Sequence, residues 1–337
     1  MMLNLSKKNF IILCLFVSVL VLNEPMIKCE ETKIKIVATI APLGLIAKEI
    51  GGERVEVKII VPSGSDPHQF VPSPYHRKLI TECNIFLSIG KEQFLRMLGE
   101  GGQFRISWND WIESGIYINE EKNPHYIWLY PPNAKIIAKV IFDHLVRLDP
   151  QGKNYYITNL KRFNKSIDQL KEWVEAYKRA LEVEEARIVL IASHFEPLIE
   201  YLGFRVVTCV VKGGEKKPGP LDISRAIKRI NEEGADAIVV LITAKFGDEG
   251  RIAKMISAST GVPMVYLSGV PLHLSDRYME FIKSNIITLL TAIKISREGW
   301  KINKEIVFSW NEIIVYLIIA LLYAISLFNL YINAKIR

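Results

Sequence analysis

From residue 151 to about 185 the chain carries Tyr156, Leu160, Phe163, Ile167, Leu170 and Trp173 at steps of three or four. That spacing puts all six on one face of an α-helix, a face that must be covered. At 1.5 Å per residue such a helix runs about 50 Å, enough to span a two-lobed protein. A coiled-coil partner is the alternative cover, but no sustained a/d heptad underlies the stripe.

Apolar segments alternate with helical ones on both sides of this stretch. Before it come strand-like runs at 34–40, 55–61 and 84–89, with a helix over 43–50 ending at Gly51 and Gly52. A helical stretch at 134–148 follows. After the long helix come runs at 187–192, 205–211, 237–242 and 263–267, with helices at 223–233 and 250–259 between them. Strand–helix alternation implies βαβ units and parallel sheets. The expected fold class is α/β, with two βα lobes built on parallel sheets and joined by one long backbone helix. The boundaries are 33–148 for the N-terminal lobe, 149–185 for the helix and 186–298 for the C-terminal lobe. A ligand then belongs in the interlobe cleft, beyond the strand C-termini. A chain of 337 residues, half of them apolar, can build both cores and is not disordered.

The two ends read differently. Lys7 and Lys8 precede an uncharged apolar run over 10–22, the layout of a secretory leader. The run is too short to span a bilayer, and the leader is expected over 1–28. Lys28 before Cys29 makes a poor lipidation signal. Residues 313–328 are unbroken by charge, and 306–331 would reach about 39 Å as a helix. Trp300, Trp310 and Tyr331 would sit near the interfaces. Lys335 and Arg337 lie in a cytoplasmic tail over 332–337, as the positive-inside rule asks. The expectation is an extracellular body held at the cell membrane by a single-pass helix; a buried C-terminal helix is the alternative.

The net charge of +7 comes from 43 basic and 36 acidic residues spread along the chain. No basic block interleaved with aromatics occurs, so nucleic acid is not an expected partner. No C-x-x-C pair exists, which removes thiolate metal sites and redox motifs. Cys83 and Cys209 sit amid apolar residues and read as small core residues.

No Gly-rich phosphate loop or nucleophile elbow is present, so chemistry falls to histidines and carboxylates. His76 follows Ser73-Pro74 and reads as an exposed first-turn residue. His144 falls on the apolar side of its helix and reads as a core histidine. The other candidates stand on loops or element ends, where binding residues concentrate. His68 follows the strand at 55–61, His125 lies in Asn123-Pro124-His125, and His194 ends the strand at 187–192. Their spacing alone defines no motif.

Several segments together resemble the solute-binding proteins of zinc and manganese ABC importers, the cluster with a rigid interlobe helix. The run 36–43 with Glu49-Ile50-Gly51-Gly52-Glu53 is similar to the opening strand and helix of that family. Asp66-Pro67-His68 with Pro72-Ser73-Pro74 resembles its first ligand loop. Asn123-Pro124-His125 with Trp128-Leu129 resembles the second, with one extra residue and Tyr130 where Asp is usual. Leu148-Asp149-Pro150 with Tyr155-Tyr156 resembles the start of the backbone helix, and Ser193-His194 the third ligand site.

The resemblance spans about 34–293 and implies a metal-binding receptor, not an enzyme, that hands its ion to an ABC permease; a monomer is expected. It implies His68, His125 and His194 as ligands. Three neutral imidazoles suit Zn²⁺, and His194 where a carboxylate would favour manganese points the same way; Mn²⁺ and other divalent ions stay open. One departure stands out. The Asp that the family carries after its last strand is missing, because 264–267 runs into Ser268-Gly269. The fourth position falls to water or to His273, which with Ser275 and Asp276 also reads as part of a helix start. Two other readings remain open: an exported zinc hydrolase using Glu196 or Asp66 as base, without an H-E-x-x-H motif, and a receptor with a degenerate site.

Overall fold

The computed structural model describes residues 33–63, 65, 70–118, 127–211, 218–271 and 277–298. The expected leader over 1–28 and the expected span over 306–331 lie outside the described residues. Among the described residues no helix is long and apolar enough to cross a membrane.

The first lobe contains β1 (Ile34–Ala38), α1 (Ala41–Gly51), β2 (Val55–Ile59), α2 (Pro74–Glu82) and β3 (Ile85–Leu87). It continues through α3 (Leu95–Leu98), β4 (Phe104–Ile106), α4 (Trp108–Glu113) and α5 (Pro131–Leu148). The long helix α6 (Lys153–Leu181) leads to the second lobe. There β5 (Arg187–Ala192), α7 (Glu196–Tyr201), β6 (Arg205–Val211) and α8 (Pro220–Glu233) come first. β7 (Ala237–Leu241), α9 (Asp248–Thr260), β8 (Met264–Leu267) and α10 (Tyr278–Glu298) complete it.

Both sheets are parallel and share one strand order, β2-β1-β3-β4 and β6-β5-β7-β8. Parallel neighbours need crossovers, and the helices supply them. Helices then cover both sheet faces, so the central strands are apolar throughout. In β5, Ile188 and Leu190 enter the main core, while Val189 and Ile191 pack under α8 and α9 with Ala226, Ile230 and Ile252. β4 was not expected from sequence. It has three residues with exposed Arg105 in the middle, and its identity comes from pairing with β3, Ile85 to Phe104 and Leu87 to Ile106.

Tyr156, Phe163, Ile167, Leu170 and Val174 of α6 are buried in a core that continues through both lobes. Leu160 and Trp173 flank that stripe, half-buried. The helix has 29 residues, shorter than the expected 149–185 at both ends. A 3-10 turn, Pro150–Gly152, replaces its start, with Asp149 Oδ1 accepting from Gly152 N at 3.0 Å. Its C-terminus closes where Glu182 turns left-handed at φ 56°. Glu182 N donates to Arg179 O at 3.0 Å and Val183 N to Lys178 O at 2.9 Å, and buried Val183 seals the turn.

Direct bonds also tie the lobes. Glu49 at the end of α1 accepts from Tyr278 N and from Arg277, both at 3.0 Å. Tyr278 Oη donates to Trp128 O, and Trp128 Nε1 donates to Gly269 O, both at 2.7 Å. The interlobe relation is therefore set by packing and hydrogen bonds as well as by α6.

Candidate metal centre

In a sheet ordered β6-β5-β7-β8, successive connections depart to opposite sides between β5 and β7. In open α/β sheets, ligands usually bind outside the strand C-termini at such a point. The second lobe places two chemically useful residues at that point, one after each strand.

His194 is the first. β5 ends at Ala192, and a 3-10 turn, Ser193–Phe195, carries the chain into α7, where Pro197 sits in the first turn. Ser193 and Phe195 are buried, which pins the turn and leaves the His194 side chain only 14% exposed. The second is Glu249, in the first turn of α9, with its side chain 25% exposed. His194 Nε2 lies 3.4 Å from Glu249 Oε1. Among the described residues, Glu249 Oε2 is fully buried and has no hydrogen-bond partner. Such an oxygen is costly to keep dry unless a cation or donor meets it.

The backbone under Glu249 is tightly built. A Cβ on Gly250 would stand 2.0 Å from Lys245 O and 2.6 Å from Lys245 C, so only glycine fits there. Lys245 begins the turn that follows the 3-10 segment Ile242–Ala244, and its ammonium lies 5.2 Å above the Tyr266 ring. The turn is thus held between β8 and the helix start.

Ser268 after β8 is committed to its own loop. Its N–H donates to Asn285 Oδ1 at 2.9 Å, its carbonyl accepts from Asn285 Nδ2 at 2.8 Å, and its hydroxyl donates to Val270 O. It offers no carboxylate, as expected from sequence.

On the first lobe, His68 and His125 lie outside the described residues, as do Asp66, His273 and Asp276. The described chain resumes at Ile127, where the 3-10 turn Ile127–Leu129 is buried. Asn133 holds this segment, donating to Ile127 O at 2.9 Å and Tyr117 O at 2.8 Å and accepting from Tyr117 N. Tyr130, at the position where the resemblance leads one to expect Asp, packs against Tyr117 and Tyr201 with ring centroids 4.8 and 6.1 Å away. Burial, with the Glu200 carboxylate, holds the Tyr130 phenol above its ordinary pKa, and burial pushes Tyr201 up to about 12. These phenols stay neutral.

The remaining histidines have structural roles. His144 Nδ1 donates to Val140 O at 2.9 Å, and its ring meets Phe104 edge-on. His76 is half-buried instead of exposed, because its Nδ1 accepts from Ser73 N at 2.9 Å and caps α2. Cys83 is buried and burial pushes its thiol up to about 11, whereas Cys209 is half-buried. Among the described residues no three His, Cys, Asp or Glu side chains form a cluster, so the described donors are the pair His194 and Glu249. Sequence reasoning missed Glu249. An acidic residue in a helix first turn carries no signal beyond its favourable place on the dipole.

Known proteins resemble this chain in sequence or in fold. Manganese-binding lipoprotein MntA of Halalkalibacterium halodurans is 27% identical over 274 residues, covering 77% of this chain and 88% of that one. Manganese ABC transporter substrate-binding lipoprotein PsaA of Streptococcus pneumoniae is 26% identical over 280 residues, with the same coverage. The periplasmic zinc binding protein TroA of Treponema pallidum has the same fold, with a TM-score of 0.65 at 17% identity, over 77% of this chain and 99% of that one. The family model for ZnuA, zinc-uptake complex component A, periplasmic, matches residues 36–292, and the chain belongs to this family of substrate-binding components of metal ABC transporters, which are not enzymes.

Proposed function

We propose that this chain captures Zn²⁺ outside the cell and delivers it to the permease of an ABC importer, with Mn²⁺ as the second candidate ion. His68, His125 and His194 supply the imidazoles, and the fourth position is open to water or His273. The observation that carries the reading is His194, half-buried on the turn after β5 at the point where the strand order of its sheet reverses. Imidazole-rich sites suit zinc, whereas carboxylates favour manganese. The relatives named for manganese keep Mn²⁺ in contention. The apolar run over 306–331 supports anchoring by a single C-terminal helix, and the run over 10–22 supports export.

The test is thermal unfolding of the metal-stripped full chain titrated with Zn²⁺ and Mn²⁺. A ligand bound only to the folded state at 100 times its Kd adds about 2.7 kcal/mol. The reading requires a Zn²⁺ shift that His68→Ala, His125→Ala and His194→Ala each collapse. Absence of any shift with divalent ions sinks it.

A further inference from the structure

We propose that Glu249 is a direct ligand of the metal and supplies the carboxylate that Ser268 does not. The assignment rests on the receptor reading above and fills the fourth position that reading leaves open.

Three independent observations carry it. The first is topological. β5 and β7 are hydrogen-bonded neighbours, whereas β8 is an edge strand one place further out. A side chain delivered after β7 therefore reaches His194 more directly than one delivered after β8. The second is the state of the carboxylate. Glu249 touches His194 through Oε1 and leaves Oε2 buried without a donor. Among the described residues no lysine or arginine pairs with it. A bound cation would satisfy both oxygens at once.

The third is distance. Two donors bound to one tetrahedral zinc at 2.0–2.1 Å stand roughly 3.3–3.4 Å apart. His194 Nε2 and Glu249 Oε1 are 3.4 Å apart. A hydrogen bond of this type more often measures about 2.9–3.0 Å. The pair is spaced as the edge of a coordination tetrahedron, and Gly250 fixes the backbone that spaces it.

A ligand and a residue that merely orients His194 differ in what restores binding. An orienting carboxylate acts on both metals through the same imidazole. A ligating carboxylate is worth more to Mn²⁺, which prefers oxygen, than to Zn²⁺, which accepts nitrogen. The experiment is calorimetric titration of the metal-stripped full chain with Zn²⁺ and with Mn²⁺. The unaltered chain is compared with Glu249→Gln and Glu249→His. Expected is a loss of about 100-fold in Zn²⁺ affinity for Glu249→Gln, a larger loss for Mn²⁺, and recovery of Zn²⁺ but not Mn²⁺ in Glu249→His. That recovery also shows that the altered chain folds.

Binding by Glu249→Gln within threefold of the unaltered chain, for both metals, overturns the assignment and leaves the receptor reading intact. Equal loss of both metals, unrescued by histidine, overturns it in favour of an orienting role. Failure of the unaltered chain to bind either metal overturns the receptor reading and this assignment together.

Discussion

Trp128 Nε1 donates to the carbonyl of Gly269 at 2.7 Å, so a side chain of the first lobe closes on the segment after the last strand of the second. The indole is buried, and Tyr278 Oη donates to the Trp128 carbonyl from the other side. Trp128→Phe keeps most of the apolar contact and leaves Gly269 O without this donor. Loss of about 1–3 kcal/mol in unfolding free energy is expected by urea titration. Trp128→Ala should cost about 3–5 kcal/mol.

Asp149 governs part of the acid stability. Burial pushes its carboxyl up, but the Arg54 guanidinium at 2.7 Å, the Tyr156 hydroxyl and Gly152 N–H outweigh it and hold it below the ordinary value. Asp236 behaves alike: burial raises it, and Arg297 with the Arg187 N–H prevails. A depressed folded pKa stabilises above the unfolded value of about 3.9, and that contribution fades as pH falls through the folded value. Urea titrations from pH 5 downward should show stability declining below about pH 4. The decline should be shallower in Asp149→Asn and in Asp236→Asn.

Gly250→Ala should disturb the His194–Glu249 pair without touching either side chain. The new methyl would meet Lys245 O at 2.0 Å, backbone that cannot rotate away. The start of α9 must shift, at a cost of roughly 1–3 kcal/mol. Thermal unfolding should show the loss, and metal titration should show weaker binding as Glu249 moves. Unchanged stability would mean that the turn tolerates a Cβ.

Lys178 is a buried cation on α6 that points into the second lobe. Its Nζ donates to Leu202 O at 3.0 Å and to Glu175 at 3.3 Å, and it sits 5.2 Å over the Phe204 ring. Lys178→Met preserves the stem and removes the donor, leaving Leu202 O unpaired by it. A loss of about 1–3 kcal/mol is expected by denaturant unfolding.

Periodicity is a local property, and the elements that follow from it were legible in the chain. β5 and β6 begin and end where the apolar runs do, at Arg187–Ala192 and Arg205–Val211. The stripe from Tyr156 to Leu170 lies on the buried face of α6, and His194 stands on the turn just after its strand. Neither end of α6 was legible. Asp149 replaces the first turn by gathering Arg54 from 95 positions away, and Glu182 adopts a left-handed turn that its residue type does not announce.

The residue types of His194 and of Ser268 were decided by sequence alone, and with them an imidazole at position 194 and a hydroxyl instead of a carboxylate at position 268. Whether a carboxylate stands beside His194 was decided by strand order. Glu249 is 55 positions from His194, and only the adjacency of β5 and β7 brings them to 3.4 Å. Sequence specifies which side chains alternate along each strand, because that pattern follows from backbone geometry within a few residues. Which strands become neighbours depends on how the whole chain buries its apolar faces, and that is settled only when both lobes pack on α6.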